Sequence, residues 1–194
     1  MGFGILDHSD GDRFEGHWQD NKAHGEGIYT CSNGDRFSGQ WLNDQQHGKG
    51  SETRKDGTTY KGSYQEGLKH GKGKLSFNDG SVYEGEFSLD KIEGEGLYQW
   101  VGGTYYTGEW AANKMSGQGY LRWNDGKEYF GQFKSDKRHG HGYLKFPDGR
   151  EYIGHWSEGK EHGMGTYKMA NGTEKQGIWH NGKLNMTGKT CYRC

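Results

Sequence analysis

Proline is nearly missing from this chain and cysteine is scarce, with one and three copies in 194 residues. Three unevenly placed cysteines cannot supply a disulfide framework, which points to a reducing compartment. No stretch of about 20 apolar residues could span a bilayer, and no apolar leader core follows Met1. The chain therefore reads as cytoplasmic, neither secreted nor transmembrane. Charge of one sign is also lacking. The net charge is -1, so nothing drives phosphate-backbone binding by counterion release, and no nucleic-acid partner is expected. Only 29% of residues are hydrophobic, and the mean hydropathy of -1.19 would suggest disorder if rings were equally scarce. They are not: aromatic residues make up 14% and glycine contributes 37 residues. Rigid rings and glycines in such numbers suggest a regular β architecture in which rings and backbones stack closely.

A strict 23-residue period organises the rings. Phe14-Glu15-Gly16-His17-Trp18 returns as Phe37-Ser38-Gly39-Gln40-Trp41, then as Tyr60-x-Gly62-x-Tyr64, Tyr83-x-Gly85-x-Phe87 and Tyr106-x-Gly108-x-Trp110. Tyr129-x-Gly131-x-Phe133 and Tyr152-x-Gly154-x-Trp156 follow, and Lys175-x-Gly177-x-Trp179 has lost its first ring. A second phrase, His24-Gly25-x-Gly27, recurs at the same interval, as does an Asn-Gly, Asp-Gly or Gly-Gly pair that begins at Asn33-Gly34. Residues 1–13 fit the C-terminal half of a preceding repeat, 14–174 hold seven full repeats, and 175–194 form a degenerate last repeat and tail. The mid-repeat start hints at a longer array.

Asn-Gly between short aromatic runs is the strongest short-range hairpin signal, because both central residues of a type I′ turn need positive φ. Strands are expected near 27–32 and 35–42, joined at Asn33-Gly34. The segment Asp20-Asn21-Lys22-Ala23-His24 is expected to be a longer polar turn. Two strands per repeat advance about 10 Å. The result is an all-β, elongated, single-layer antiparallel meander of β-hairpin repeats, twisted and groove-like. Alternation puts Phe14, Gly16 and Trp18 on one face and His17, Gln40 and Ser63 on the other.

This pattern resembles the MORN repeat family, whose units read Tyr-x-Gly-x-Trp, a polar turn, then His-Gly-x-Gly and Asp-Gly. The resemblance covers nearly the whole chain. It implies a single-layer, groove-like sheet, and its members are mostly cytoskeletal or membrane-adjacent scaffolds, including radial-spoke proteins, junction proteins and protist proteins built almost wholly of such repeats. Glu52 and Arg54 replace apolar residues in the second repeat, and Lys175, Asn185 and Met186 break the last, so packing is expected to be weakest there.

No paired carboxylates, nucleophile elbow or cofactor fingerprint stands out, and no enzyme activity is expected. The histidines at 24, 47, 70, 139 and 162 would lie about 10 Å apart, too far to share an ion. Each is expected to hydrogen-bond its own loop. The Gly-x-Gly pairs lead into strands rather than helices and lack P-loop spacing. Lys91, Lys114, Lys137 and Lys160 recur in register and could meet anionic lipid, diluted by Asp90, Asp136, Glu158 and Glu161. Cys191 and Cys194 supply half of a tetrahedral zinc site that two chains could complete; no other cofactor is required. Cys31 reads as a small core residue.

Two partner surfaces are expected. Tyr120, Phe130, Tyr143, Ile153 and Ile178 share the polar face of the C-terminal repeats and suggest a two-fold homodimer. Trp100, Trp110, Trp123, Phe133, Phe146 and Trp156 would line an aromatic groove, and the family resemblance implies that such a groove receives a partner's amphipathic helix. The leading expectation is a dimeric scaffold in a cytoskeletal or cell-cortex assembly of the cell-division or flagellar-base apparatus. An axonemal radial-spoke component and a phosphoinositide-binding module acting through the lysine ladder are the alternatives.

Overall fold

A computed structural model describes residues 2–185. These residues form seventeen strands and no helix, in an open antiparallel sheet of hairpin repeats that does not close into a barrel. The chain divides into two compact units, Met1–Val101 and Gly102–Cys194.

The first unit holds β1 (Gly2–Asp7), β2 (Arg13–Gln19), β3 (Lys22–Thr30), β4 (Arg36–Leu42), β5 (Gln45–Thr53), β6 (Thr59–Gln65), β7 (Leu68–Ser76), β8 (Val82–Ser88) and β9 (Lys91–Gln99). The second holds β10 (Tyr105–Ala111), β11 (Lys114–Arg122), β12 (Glu128–Lys134), β13 (Lys137–Lys145), β14 (Glu151–Ser157), β15 (Lys160–Lys168), β16 (Glu174–His180) and β17 (Lys183–Asn185). Within each unit every strand pairs with its chain neighbour, and glycine faces glycine across the ladder: Gly16 opposes Gly27, which opposes Gly39 on its other side.

The two connections are the reverse of the sequence expectation. Asp20 and Asn21 both have positive φ, 50° and 60°, and Gln19 pairs directly with Lys22. This is the tight two-residue turn, and Lys22, Ala23 and His24 already belong to β3. The Asn33-Gly34 connection is wider. Gly34 N donates to Cys31 O at 2.9 Å and Cys31 N to Asp35 O at 2.8 Å. Only Gly34 of this pair has positive φ, as in a type I turn closed by a left-handed residue. Asn33 earns its place differently, as an acceptor: its Oδ1 takes the Asp35 N–H at 2.8 Å. Asp56 does the same for Thr58, Asp125 for Lys127 and Asn171 for Thr173. Moving the tight turn lengthens the second strand, and the surplus is absorbed opposite His17. There the register slips between Gly16 and Trp18, and Gly25 takes a φ of 76°.

A single layer has no second sheet to cover its rings, so the rings cover one another. Tyr60 lies along its own strand with its hydroxyl donating to Ser63 O at 3.0 Å. Tyr83, Tyr129 and Tyr152 repeat this bond to Glu86 O, Gln132 O and His155 O. Within each unit the first ring of a repeat meets the ring four residues on and the one 27 residues on, edge to face. Centroid distances through both units run from 5.0 Å for Phe37–Tyr64 to 5.4 Å for Tyr129–Trp156. Each such contact adds about 0.5–1.5 kcal/mol to simple burial. The ladder is dense enough that Tyr83, Tyr106, Tyr129 and Tyr152 are fully buried.

Burial pushes the Tyr60 and Tyr152 phenols up to about 12, and those of Tyr83 and Tyr129 higher still. A raised folded-state pKa means the stabilisation is fully present below the ordinary value of 10 and is lost as pH rises toward the folded value. Absorbance at 295 nm should therefore show exposed tyrosines titrating near 10 and these four ionising only with unfolding. Smooth titration of all tyrosines near 10, with the fold intact, would contradict the ladder.

The second repeat is less interrupted than its sequence suggests. Glu52 lies on the ring face, where it binds Lys69, and Arg54 Nε lies 2.7 Å from its Oε1. Lys69 is itself buried and sits over the Tyr60 ring at 5.1 Å. The pair fills two positions occupied by Leu75 and Ile92 one repeat further on. In the last repeat Lys175 is exposed and only Trp179 of β16 is buried. Met186 lies outside the described residues.

Candidate functional site

The ring face offers little free surface. Trp110, Phe133 and Trp156 are 6%, 4% and 2% exposed and belong to the core ladder. Tyr rings flank Phe133 and Trp156 on two sides, and Tyr106 lies edge to face against Trp110. Trp100, Trp123 and Phe146 lie just beyond the strand ends, in the wider turns, and are half-buried. Lys127 Nζ sits 4.4 Å above the Trp123 ring and Arg150 4.8 Å above Phe146. The six rings thus split into core and rim.

The opposite face of the second unit carries a continuous apolar row. Tyr120 opposes Phe130, Phe130 opposes Tyr143, and Tyr143 opposes Ile153. Phe130 and Ile153 are 60% and 57% exposed. Ile178 stands in the next column, opposite Met164, and both are exposed. Beside the row runs a ladder of alternating charge that sequence reading did not single out. In order it is Arg122, Glu128, Lys145, Glu151, Lys168 and Glu174, each opposite the next across a strand pair. Arg122–Glu128 and Glu151–Lys168 approach to 3.7 and 3.8 Å. Cross-strand parity would have exposed this ladder once the register was known.

The same face of the first unit is concave instead of apolar. A cavity of about 860 Å³ opens there, lined by Lys49, Lys61, Lys72 and Lys74 with glutamates at its ends. It was not anticipated, because concavity depends on sheet curvature, which no local motif encodes.

The turn lysines Lys91, Lys114, Lys137 and Lys160 each open a long strand just after a two-residue turn and are exposed. Lys137 is paired with Glu158. Asp90 and Asp136 in these turns accept the Lys69 and Met115 N–H groups, stapling successive repeats. Four of the five histidines do not bond their own loops through Nδ1. Nδ1 of His24, His70, His139 and His162 is buried without a hydrogen-bond partner among the described residues, because each ring lies within a strand, one residue before the left-handed glycine. Cys31 is half-buried in its turn, and burial raises its thiol pKa. Cys191 and Cys194 lie outside the described residues. Among the described residues no group of three or more His, Cys, Asp or Glu could hold a metal. No helix is long and apolar enough to cross a membrane.

A ring-stacked, single-layer array of β-hairpins with a fixed 23-residue register defines a β-repeat protein. The chain belongs to the MORN repeat family, whose repeat matches residues 14–36, 37–59, 60–82, 83–105, 106–128, 129–149, 152–174 and 176–193. No curated protein matches the chain. Among solved structures it is similar to the TCP domain of Drosophila melanogaster SAS-4 (dCPAP), in complex with a proline-rich motif of Ana2 (dSTIL). The identity is 9% and the TM-score 0.48, over 90% of this chain and 88% of that one. It is also similar to the TCP10 domain of Danio rerio CPAP in complex with a STIL peptide, at 14% identity and a TM-score of 0.37 over 97% and 95%. Virginiamycin B lyase from Staphylococcus aureus matches at 11% identity and a TM-score of 0.18, over 91% of this chain and 55% of that one.

Proposed function

We propose that this protein is a non-catalytic scaffold that pairs with itself through the second unit and presents its repeats to protein partners in a cytoskeletal or cell-cortex assembly. The observation that carries the reading is the row Tyr120, Phe130, Tyr143, Ile153, an exposed apolar strip on an otherwise polar face. A strip of this kind marks an interaction surface.

The charge ladder supports a second copy as its occupant. Six alternating charges are self-complementary under reversal. A two-fold axis parallel to the strands, passing midway between Lys145 and Glu151, lays the ladder over its own reverse. Arg122 then faces Glu174, Glu128 faces Lys168 and Lys145 faces Glu151, every pair of opposite sign. The same axis sets Tyr143 over Ile153 and brings Phe130 over Thr166 and Tyr120 over Gln176, so the apolar strips overlap at their centre. Closed two-fold pairs are the commonest assemblies, and complementary rim charges set register more than affinity. Amphipathic partners would find the half-buried rims at Trp123 and Phe146 rather than the covered core rings.

Sedimentation at micromolar concentration should give twice the chain mass. Phe130→Glu combined with Ile153→Glu should halve it while leaving the circular dichroism spectrum unchanged, since both side chains are exposed. A monomeric parent at high micromolar concentration, or a double variant of unchanged mass, would overturn the pairing.

A further inference from the structure

The cavity of the first unit has a centre and two ends of different charge. Its centre lies on β5, β6 and β7, where Lys49, Lys61, Lys72 and Lys74 project from the face opposite the rings. Glu26 lies toward one end, and Glu84, Glu86 and Glu95 toward the other. Lys61 and Lys74 are direct cross-strand partners, a like-charge pairing that sheets ordinarily avoid.

The lysines are also poorly compensated. Among the described residues Lys61 and Lys72 make no ion pair. Lys49 Nζ donates to the Ser63 hydroxyl at 2.8 Å, and only Lys74 has a carboxylate, Glu84 at 3.7 Å with both side chains largely exposed. Glu86 opposes Lys72 in register, but its carboxylate is turned onto the bulge, where a Cβ added at Gly94 would lie 2.2 Å from its Oε2. The backbones of Gly50, Gly62 and Gly73 form the floor between the lysines, so a ligand can approach the sheet closely there.

We propose that this cavity binds a short acidic peptide segment of another protein, in extended form, with two or three carboxylates against Lys49, Lys61, Lys72 and Lys74. The shape and the flanking charge favour a peptide over a membrane. Three strands span about 10 Å, the length of about three residues of one extended chain. A planar anionic surface would have to reach the floor of a concavity and would meet the glutamates at both ends.

The test uses the full chain and a fluorescein-labelled nine-residue serine peptide with glutamate at its three central positions, followed by fluorescence anisotropy. The glutamine–serine peptide is the neutral control. Binding should require the glutamates, weaken with salt and fall at least about tenfold in Lys61→Glu with Lys74→Glu, as expected for losing direct charge contacts. Lys91→Glu with Lys114→Glu, at the turns, should leave it unchanged. All four side chains are exposed, and an unchanged circular dichroism spectrum would show that the variants fold. Absence of binding at about 1 mM peptide, or equal binding by the cavity variant, overturns the proposal. So does co-sedimentation with phosphatidylserine vesicles that depends on Lys61 and Lys74 while the peptide fails to bind, which would assign the site to a membrane.

Discussion

Gly154→Ala should destabilise the second unit by about 3 kcal/mol, while Gly177→Ala, at the equivalent position of the next repeat, should change stability by less than about 0.5 kcal/mol. The two glycines share the same sequence phrase and the same cross-strand partner type, so composition and propensity cannot separate them. Their surroundings do. A Cβ on Gly154 would sit 2.6 Å from Gly165 Cα, 2.6 Å from Tyr152 Oη and 2.8 Å from Met164 O. Two of those atoms are backbone, and the third belongs to a fully buried ring held by its bond to His155 O. Relief would require opening the strand pair or lifting Tyr152 from between Trp156 and Trp179. Among the described residues the one atom within 3.4 Å of a Cβ on Gly177 is Leu184 Cδ1, the far end of a flexible side chain. Lys175 stands where a ring would lie, so no ring lies over that glycine among the described residues. Repeat arrays need not unfold in one step, so the comparison is best read locally, by hydrogen exchange of β14 and β15. Equal protection in the two variants would show that ring-over-glycine packing does not hold the sheet together.

That contrast also marks what the sequence discloses. The period, the ring–glycine–ring phrase and the paired glycines are visible as letters, because the same contact must be rebuilt every 23 residues. The turn assignment went astray for a physical reason. Asn-Gly satisfies both a type I′ turn and a type I turn closed by a left-handed glycine, while the positions that adopt two positive φ values include Leu89-Asp90, Ala112-Asn113 and Ser135-Asp136. These carry no turn signature. Their conformation is imposed by the strand twist and by the aspartate that bonds the neighbouring repeat, as Asp90 does at Lys69 N. The apolar row was legible from strand parity alone. The charge ladder beside it and the lysine cavity were not, since one needs the register and the other the curvature.

Lys69→Ala should destabilise the first unit by about 2–3 kcal/mol, and Glu52→Leu combined with Lys69→Ile should restore or exceed the parent stability. Breaking a buried pair strands the remaining charge, at a cost of about 3–5 kcal/mol, whereas replacing both partners by packed apolar groups is often neutral or stabilising. The lower figure for Lys69→Ala reflects Arg54, which stays bonded to Glu52 from a half-exposed position. Apolar side chains fit here because Leu75 and Ile92 occupy the same two positions one repeat further on. Burial pushes the Glu52 carboxyl up, but hydrogen bonds from Lys69 and Arg54 outweigh it and hold the group below its ordinary 4.5. A depressed folded-state pKa gives stability that is present above the unfolded value and lost as pH falls through the folded one. The parent should therefore lose stability below about pH 4.5 by an amount that the double variant does not. Thermal unfolding of both proteins between pH 3 and pH 7 separates the cases. If the double variant is less stable than the parent at pH 7, the ion pair contributes more than the apolar contacts it displaced, and the second repeat owes its place in the ladder to charge.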